Sequence, residues 1–154
     1  MRYNQVKDLI EWAAGYHARM ARQYTEAAEQ TENQRLAMAL SYLASSELKM
    51  KTGLEALFHD GNDQREVLEL WFDESGDFPQ PPLLEALAER SIAGSVDEIM
   101  VTAVESHRNL QALYEHRASR SKIEPEEEFF EALAAGHNAE ARKLVTSMQE
   151  FEDL

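Results

Sequence analysis

The sequence predicts an all-α protein: a four-helix bundle of two repeated helical hairpins joined by a long, partly helical crossover. Three observations predict it. Apolar residues recur at helical spacing along nearly the whole chain, and no segment alternates as a strand would. The four longest periodic segments come in two tightly linked pairs, separated by a connection over residues 59–94 that can cross the length of a bundle. A shift of 90 residues brings one pair into register with the other. The 154 residues suit a single domain, with hairpin 1 at 5–58, the crossover at 59–94 and hairpin 2 at 95–150.

The first long helix runs from Gln5 to Gln30, with the stripe Val6, Leu9/Ile10, Ala13, His17, Met20, Tyr24, Ala27/Ala28. "TENQ" (31–34) reads as a turn or a kink. The second helix runs to Phe58 on the stripe Leu36, Leu40, Leu43, Glu47, Met50, Leu54, Leu57, and Asp60–Gly61 is the stop signal. In the crossover, Asp63 with Glu66 suits the start of a short helix, "REVLELWF". "DESGDFPQPP" (73–82) reads as a loop, because a glycine and three prolines break the periodicity. "LLEALAERSIA" is another short helix ended by Gly94. Ser95 and Glu98 form a capping box that opens the third long helix, whose stripe is Val96, Ile99, Ala103, His107, Leu110, Tyr114, Arg117. After the turn "SRSKIEP", Pro125 suits a first helical position, and Glu126, Glu127 and Glu128 suit the positive end of the helix dipole. The fourth long helix carries Phe129/Phe130, Leu133, His137, Glu140, Leu144 and Met148 and ends near Glu150.

The repeat gives eight identities over 53 positions, among them His17/His107, Tyr24/Tyr114, Leu43/Leu133 and Leu54/Leu144. Because Ala and Leu are common, the shared register says more than the identities: Ile10/Met100, Met20/Leu110, Leu40/Phe130 and Phe58/Met148 are apolar in both copies.

Composition removes several functions. Net charge is −14, which argues against nucleic acid and anionic membrane surfaces as partners, since both select clustered Lys and Arg. With no cysteine, disulfides, thiolate metal sites, Fe–S clusters and Cys nucleophiles are excluded, and a reducing cytoplasm is the simplest location. No signal-peptide core and no membrane-span-length apolar run is expected. No Ser-His-Asp order, Walker loop or G-x-G-x-x-G occurs.

The informative residues are polar ones on stripes that should be buried: His17, Glu47, His107, His137 and Glu140. In a hairpin, residues equidistant from the turn share a height. Residues 17 and 47 are centred on Glu32, in the first turn, and 107 and 137 on Lys122, in the second. If the hairpins pack face to face, these residues and Met50 meet in mid-bundle. Unpaired buried carboxylates cost several kcal/mol, so such a cluster requires protons, internal partners or a cation. Internal partners would be His17 with Glu47 and His107 with Glu140, a polar pairing that fixes helix register. A cation would be a transition metal, Fe, Zn, Mn or Cu. Imidazole-rich sites lean toward Zn or Cu, and a Met50 thioether would favour Cu(I). One ion fits better than two because bridging carboxylates are scarce.

This layout resembles the ferritin-like superfamily, and most closely rubrerythrin-type domains. In that family two hairpins build a di-iron site, the first helix of each giving a Glu and the second an E-x-x-H pair. "LASSELKM" (43–50) and "LAAGHNAE" (133–140) resemble the family's Leu-Ala-x-x-Glu-x-x-His, and the Tyr seven residues after His17 and after His107 matches its spacing. The resemblance covers about 105 residues in two blocks and implies the ferritin-like fold. The chain departs from the pattern at the ligands. His17 and His107 stand at the first-helix Glu positions, Glu47 and Met50 at the first E-x-x-H, and a reversed His137/Glu140 at the second.

The expected function is thus a divergent rubrerythrin/ferritin-like protein that binds a transition metal through His17, Glu47, His107, His137 and Glu140, with a metal-handling or redox-stress role implied by the resemblance. The alternative is a non-catalytic bundle with a vestigial site that works through its surface, as an adaptor or homodimer. A third reading is a small-ligand binder using space near Gly136, a mid-helix glycine explained otherwise by close packing. Tyr24 and Tyr114 should line the core with their hydroxyls paired. Trp71–Phe72 should cap the bundle or, if exposed, mark a partner site. His59 and His116 read as surface residues at helix ends.

Overall fold

The computed structural model describes residues 5–59, 63–72 and 81–152. Among these the chain is all-helical: α1 (Val6–Gln30), α2 (Gln34–Ala56), α3 (Arg65–Leu68), α4 (Pro81–Glu89), α5 (Val96–Ser119) and α6 (Glu124–Glu152). α1 packs along α2 and α5 along α6, giving two hairpins that meet through α2 and α5. No helix among the described residues is long and apolar enough to cross a membrane.

The long helices begin where their capping residues place them. The Gln5 N–H donates to Asp8 Oδ2 at 2.9 Å, and the Asp8 charge faces the positive end of α1. Asn33 Oδ1 accepts the Leu36 N–H at 3.1 Å to open α2, after a turn of only residues 31–33. Ser95 Oγ accepts the Glu98 N–H at 3.2 Å and opens α5 as expected. Gly94, just before it, has φ +123°, and a Cβ there would lie 2.7 Å from Glu98 Oε2. α6 starts one residue before Pro125, whose missing N–H still falls among the first-turn donors that have no helical partner.

The stripes are buried as the spacing requires: Leu9, Ile10, Met20, Leu40, Leu43, Met100, Leu110, Phe130 and Leu144 are all within 2% of fully buried. Each such side chain contributes roughly 1.5–3 kcal/mol.

The crossover departs from expectation in three places. α3 is a single turn, and its N-cap is Gln64, which makes no side-chain cap bond, rather than Asp63. It stops because the chain beyond it is used elsewhere. Leu70 O accepts the Val6 N–H and Glu69 O accepts from Gln5 Nε2, both at 3.0 Å, and Trp71 forms an antiparallel bridge with Gln5. Trp71 is 67% exposed and caps nothing, whereas half-buried Phe72 lies under the Arg117 guanidinium, 4.2 Å from its ring centroid. α4 begins at Pro81, inside the expected loop, and ends at Glu89 instead of continuing to Ala93. The Ala88 carbonyl, which a longer helix would offer to Ile92, accepts from Gln23 Nε2 at 3.1 Å. The Asp60–Gly61 stop and the loop over 73–80 lie outside the described residues.

α4 is also fastened to α1 through the Glu85 carboxylate. Arg19 donates to both oxygens of Glu85 at 2.8 and 2.9 Å, and Trp12 Nε1 donates to Glu85 Oε1 at 2.6 Å. These bonds hold the Glu85 carboxyl below the usual carboxylate range, chiefly through Arg19.

Candidate functional site

Hairpin geometry brings the polar stripe residues together in pairs. His17 on α1 bonds through Nδ1 to Glu47 Oε2 on α2. His107 Nδ1 on α5 faces His137 Nδ1 on α6 at 3.0 Å. Each pair spans 30 residues and is centred on its turn, as the equal-height argument requires. The pairs then meet across the hairpins. Glu47 Oε1 lies 3.7 Å from His107 Nε2, and the His17 ring stacks on that of His137 with centroids 5.6 Å apart and planes at 13°. Tyr114 also stacks on His137, centroids 5.6 Å apart. His17, Glu47, His107 and His137 are all at most 5% exposed.

The fifth residue stands apart. Half-buried Glu140 does not pair with His107; its Oε1 accepts from Ser46 Oγ at 2.5 Å. The pairing expected between His107 and Glu140 is replaced by His107–His137 and His107–Glu47. Met50 and Glu140 occupy equivalent places in the repeat, and both sit at the edge of the bundle between α2 and α6. A helix turns 100° per residue, so residues three beyond Glu47 and His137 are rotated away from the centre of the stripe.

The bonding pattern assigns the protons. Glu47 accepts the His17 Nδ1–H, and its charge, 3.7 Å from His107 Nε2 and beyond hydrogen-bond range, favours a proton on that nitrogen. His107 Nδ1 is then an acceptor, and His137 donates its Nδ1–H to it. His17 Nε2 is buried with no hydrogen-bond partner among the described residues. Burial pushes the His137 imidazole well below its usual range and the His107 imidazole below it, the nearby Glu47 charge partly opposing the shift at His107. At neutral pH the His107–His137 bond therefore joins two neutral rings.

Two residues next to the cluster were not singled out by spacing. Tyr16 OH and Ser106 Oγ lie 2.6 Å apart, fully buried, and the Tyr16 ring meets that of His17 edge-on. Their separation of 90 residues equals the repeat shift, so the contact joins equivalent positions of the two hairpins. That coincidence was the one available signal. Tyr24 lines the core as expected, but its hydroxyl has no partner among the described residues, and burial raises its pKa well above normal. Gly136 is exposed, with nothing within 4 Å of an added Cβ, so it neither tightens packing nor opens space beside the cluster. His59 is exposed and His116 is half-buried.

Chemically the cluster is three buried imidazoles gathered about one buried carboxylate. Among the described residues no group of three or more His, Asp or Glu side chains is arranged so that it could hold a metal ion. Comparison of the chain with protein-family models, with curated proteins and with solved structures finds no match.

Proposed function

We propose that the protein is a divergent, ferritin-like bundle whose buried imidazole cluster takes up one divalent transition-metal ion. The residues do not fit a two-iron centre. Its bridging carboxylates are missing, Glu47 is bonded to His17, and Glu140 is bonded to Ser46. A single ion is a better match, and the observation that supports it is the opposed pair His107 Nδ1 and His137 Nδ1 at 3.0 Å. Two imidazole nitrogens on a common Zn²⁺, each about 2.0–2.1 Å from it, stand about 3.3 Å apart at a tetrahedral angle. Moving the His137 proton from Nδ1 to Nε2, a change of tautomer without change of charge, would free both nitrogens.

The third donor would be His17 Nε2, which has no hydrogen-bond partner among the described residues. Its Nδ1–H rests on Glu47, and a carboxylate behind an imidazole is the usual support of a ligating histidine. In this reading Glu47 positions His17 and His107, and Glu140 is not a ligand. The ion would supply Lewis acidity and hold the rings. The chain supplies orientation and a water-excluded interior.

The alternative is a register lock without metal. It is favoured by the closed hydrogen bonding of His17–Glu47 and His107–His137 and by the lack of a gathered three-ligand set among the described residues.

Elemental analysis of protein purified without a His-tag, followed by Zn²⁺ and Co²⁺ titration, separates the two. The proposal expects about one ion per chain, Co²⁺ absorption in the visible, and a rise in Tm. An ion at 100 times its Kd stabilises by about 2.7 kcal/mol. The His107→Ala/His137→Ala double variant should lose all three responses. No binding and an unmoved Tm with Fe²⁺, Mn²⁺, Zn²⁺ and Cu²⁺ would leave the register lock standing.

A further inference from the structure

A second pocket, outside the imidazole cluster, opens between α2 and α6. It encloses about 190 Å³ and is lined by Tyr42, Ser45, Ser46, Lys49, Met50, Glu140 and Lys143. Drug-sized ligands occupy roughly 300–1,000 Å³, so this one suits a much smaller molecule.

The lining divides by chemistry. Lys49 and Lys143 come from the two facing helices and place two cations on a chain of net charge −14. Lys143 is held near the Tyr42 ring, its Nζ 5.9 Å from the centroid. Opposite in charge is Glu140, fixed by the Ser46 hydroxyl at one oxygen, with the other oxygen not engaged in that bond. Ser45 and Ser46 add hydroxyls. The Met50 thioether and the Tyr42 ring supply the apolar wall.

Two cations alone would accept any small anion. Glu140 changes that, because a carboxylate beside the ligand repels a doubly charged phosphate and demands a donor in return. A ligand that satisfies both ends carries a carboxylate toward the lysines, a cationic or hydroxylic donor toward Glu140, and a short apolar or hydroxylated group. We infer that the α2/α6 pocket is a binding site for a small free α-amino acid, held through its carboxylate by Lys49 and Lys143 and through its ammonium by Glu140. The inference does not depend on a metal in the core.

The test is ¹H–¹⁵N NMR titration of the full chain with L-alanine and L-serine, beside propionate and ethylamine, which each lack one charged group, and inorganic phosphate. Saturable shifts in the amides of residues 42–50 and 140–143 are expected with the amino acids. Propionate and ethylamine should bind at least about tenfold more weakly, the scale of one lost hydrogen bond to a charged group. Lys49→Ala/Lys143→Ala should abolish the amino-acid response while far-UV circular dichroism stays unchanged. Glu140→Gln keeps the bond to Ser46 and should erase the preference for alanine over propionate. No saturable shift at tens of millimolar amino acid, or equal responses to propionate or phosphate, would overturn the assignment.

Discussion

Glu47 is the residue on which the interior depends, because it bonds His17 of its own hairpin and its other oxygen lies 3.7 Å from His107 of the other. Removing it alone leaves His17 Nδ1–H buried without an acceptor. Glu47→Leu should therefore cost about 1–3 kcal/mol in urea denaturation beyond any packing change. His17→Leu/Glu47→Leu removes both partners and should recover most of that loss, since replacing a whole buried polar pair by apolar groups is often neutral. Strictly additive losses would show that the pair is uncoupled. The histidines opposite make stability depend on pH. Burial lowers the His107 and His137 pKa values in the folded chain below the ordinary histidine value of about 6.5, so the unfolded chain binds more protons below that pH. Their stabilisation is complete above the unfolded value and is lost as pH falls from there toward the folded values. Metal-free protein should lose at most about 1.4 kcal/mol per pH unit for each histidine in that window. His107→Asn/His137→Asn should flatten the Tm profile between pH 7 and pH 5, and an unchanged profile would place the sensitivity elsewhere.

At the scale of the elements, the hairpins and the crossover are held by different means. α1 with α2, and α5 with α6, pack through continuous apolar stripes. α4 adds to its buried Leu84, Leu87 and Ala88 a polar grip on α1, in which Arg19 and Trp12 hold the Glu85 carboxylate and Gln23 the Ala88 carbonyl. Glu85→Ala leaves Trp12 Nε1 and the half-buried Arg19 guanidinium without that acceptor. Hydrogen exchange over residues 84–89 should rise by about tenfold, the equivalent of about 1.4 kcal/mol in local opening, with protection in α5 and α6 retained. Exchange that rises uniformly across all helices would mean that α4 opens only with the whole chain. The contrast explains what the sequence makes legible. Stripes, caps and turn-centred symmetry are local, so the long helices, the Ser95 start and the heights of His17–Glu47 and His107–His137 follow from spacing. The Glu85 grip links residues 73 and 66 apart, and the end of α3 is set by Gln5 and Val6, so no local pattern announces either. Glu140 misleads for a subtler reason. Spacing places it on the stripe with His137, but a rotation of part of a turn decides whether a stripe-edge residue faces the interior or, as here, Ser46.

For the whole molecule, the repeat fixes how the halves depend on each other. Tyr16 and Ser106 are equivalent positions in contact, as expected of two copies related by an approximate two-fold. Glu47 and the His17 ring of one hairpin close against His107 and His137 of the other. Either hairpin alone would expose its half of that polar cluster, together with the apolar stripes that the other half covers, and water would then compete for every bond. The two hairpins should therefore unfold as one cooperative unit despite their separate turns. Trp12 reports on hairpin 1, and Trp71→Phe makes it the sole indole, since the chain has two tryptophans. In that variant Trp12 fluorescence and helical circular dichroism should give coincident urea transitions with one midpoint. Tyr16→Phe keeps the ring but cuts the hydroxyl bridge to Ser106, so both midpoints should fall together, by about 1 kcal/mol. Transitions that separate, with fluorescence melting at a different urea concentration from ellipticity, would mean that the hairpins are independent folding units and that the shared imidazole interior does not bind them into one.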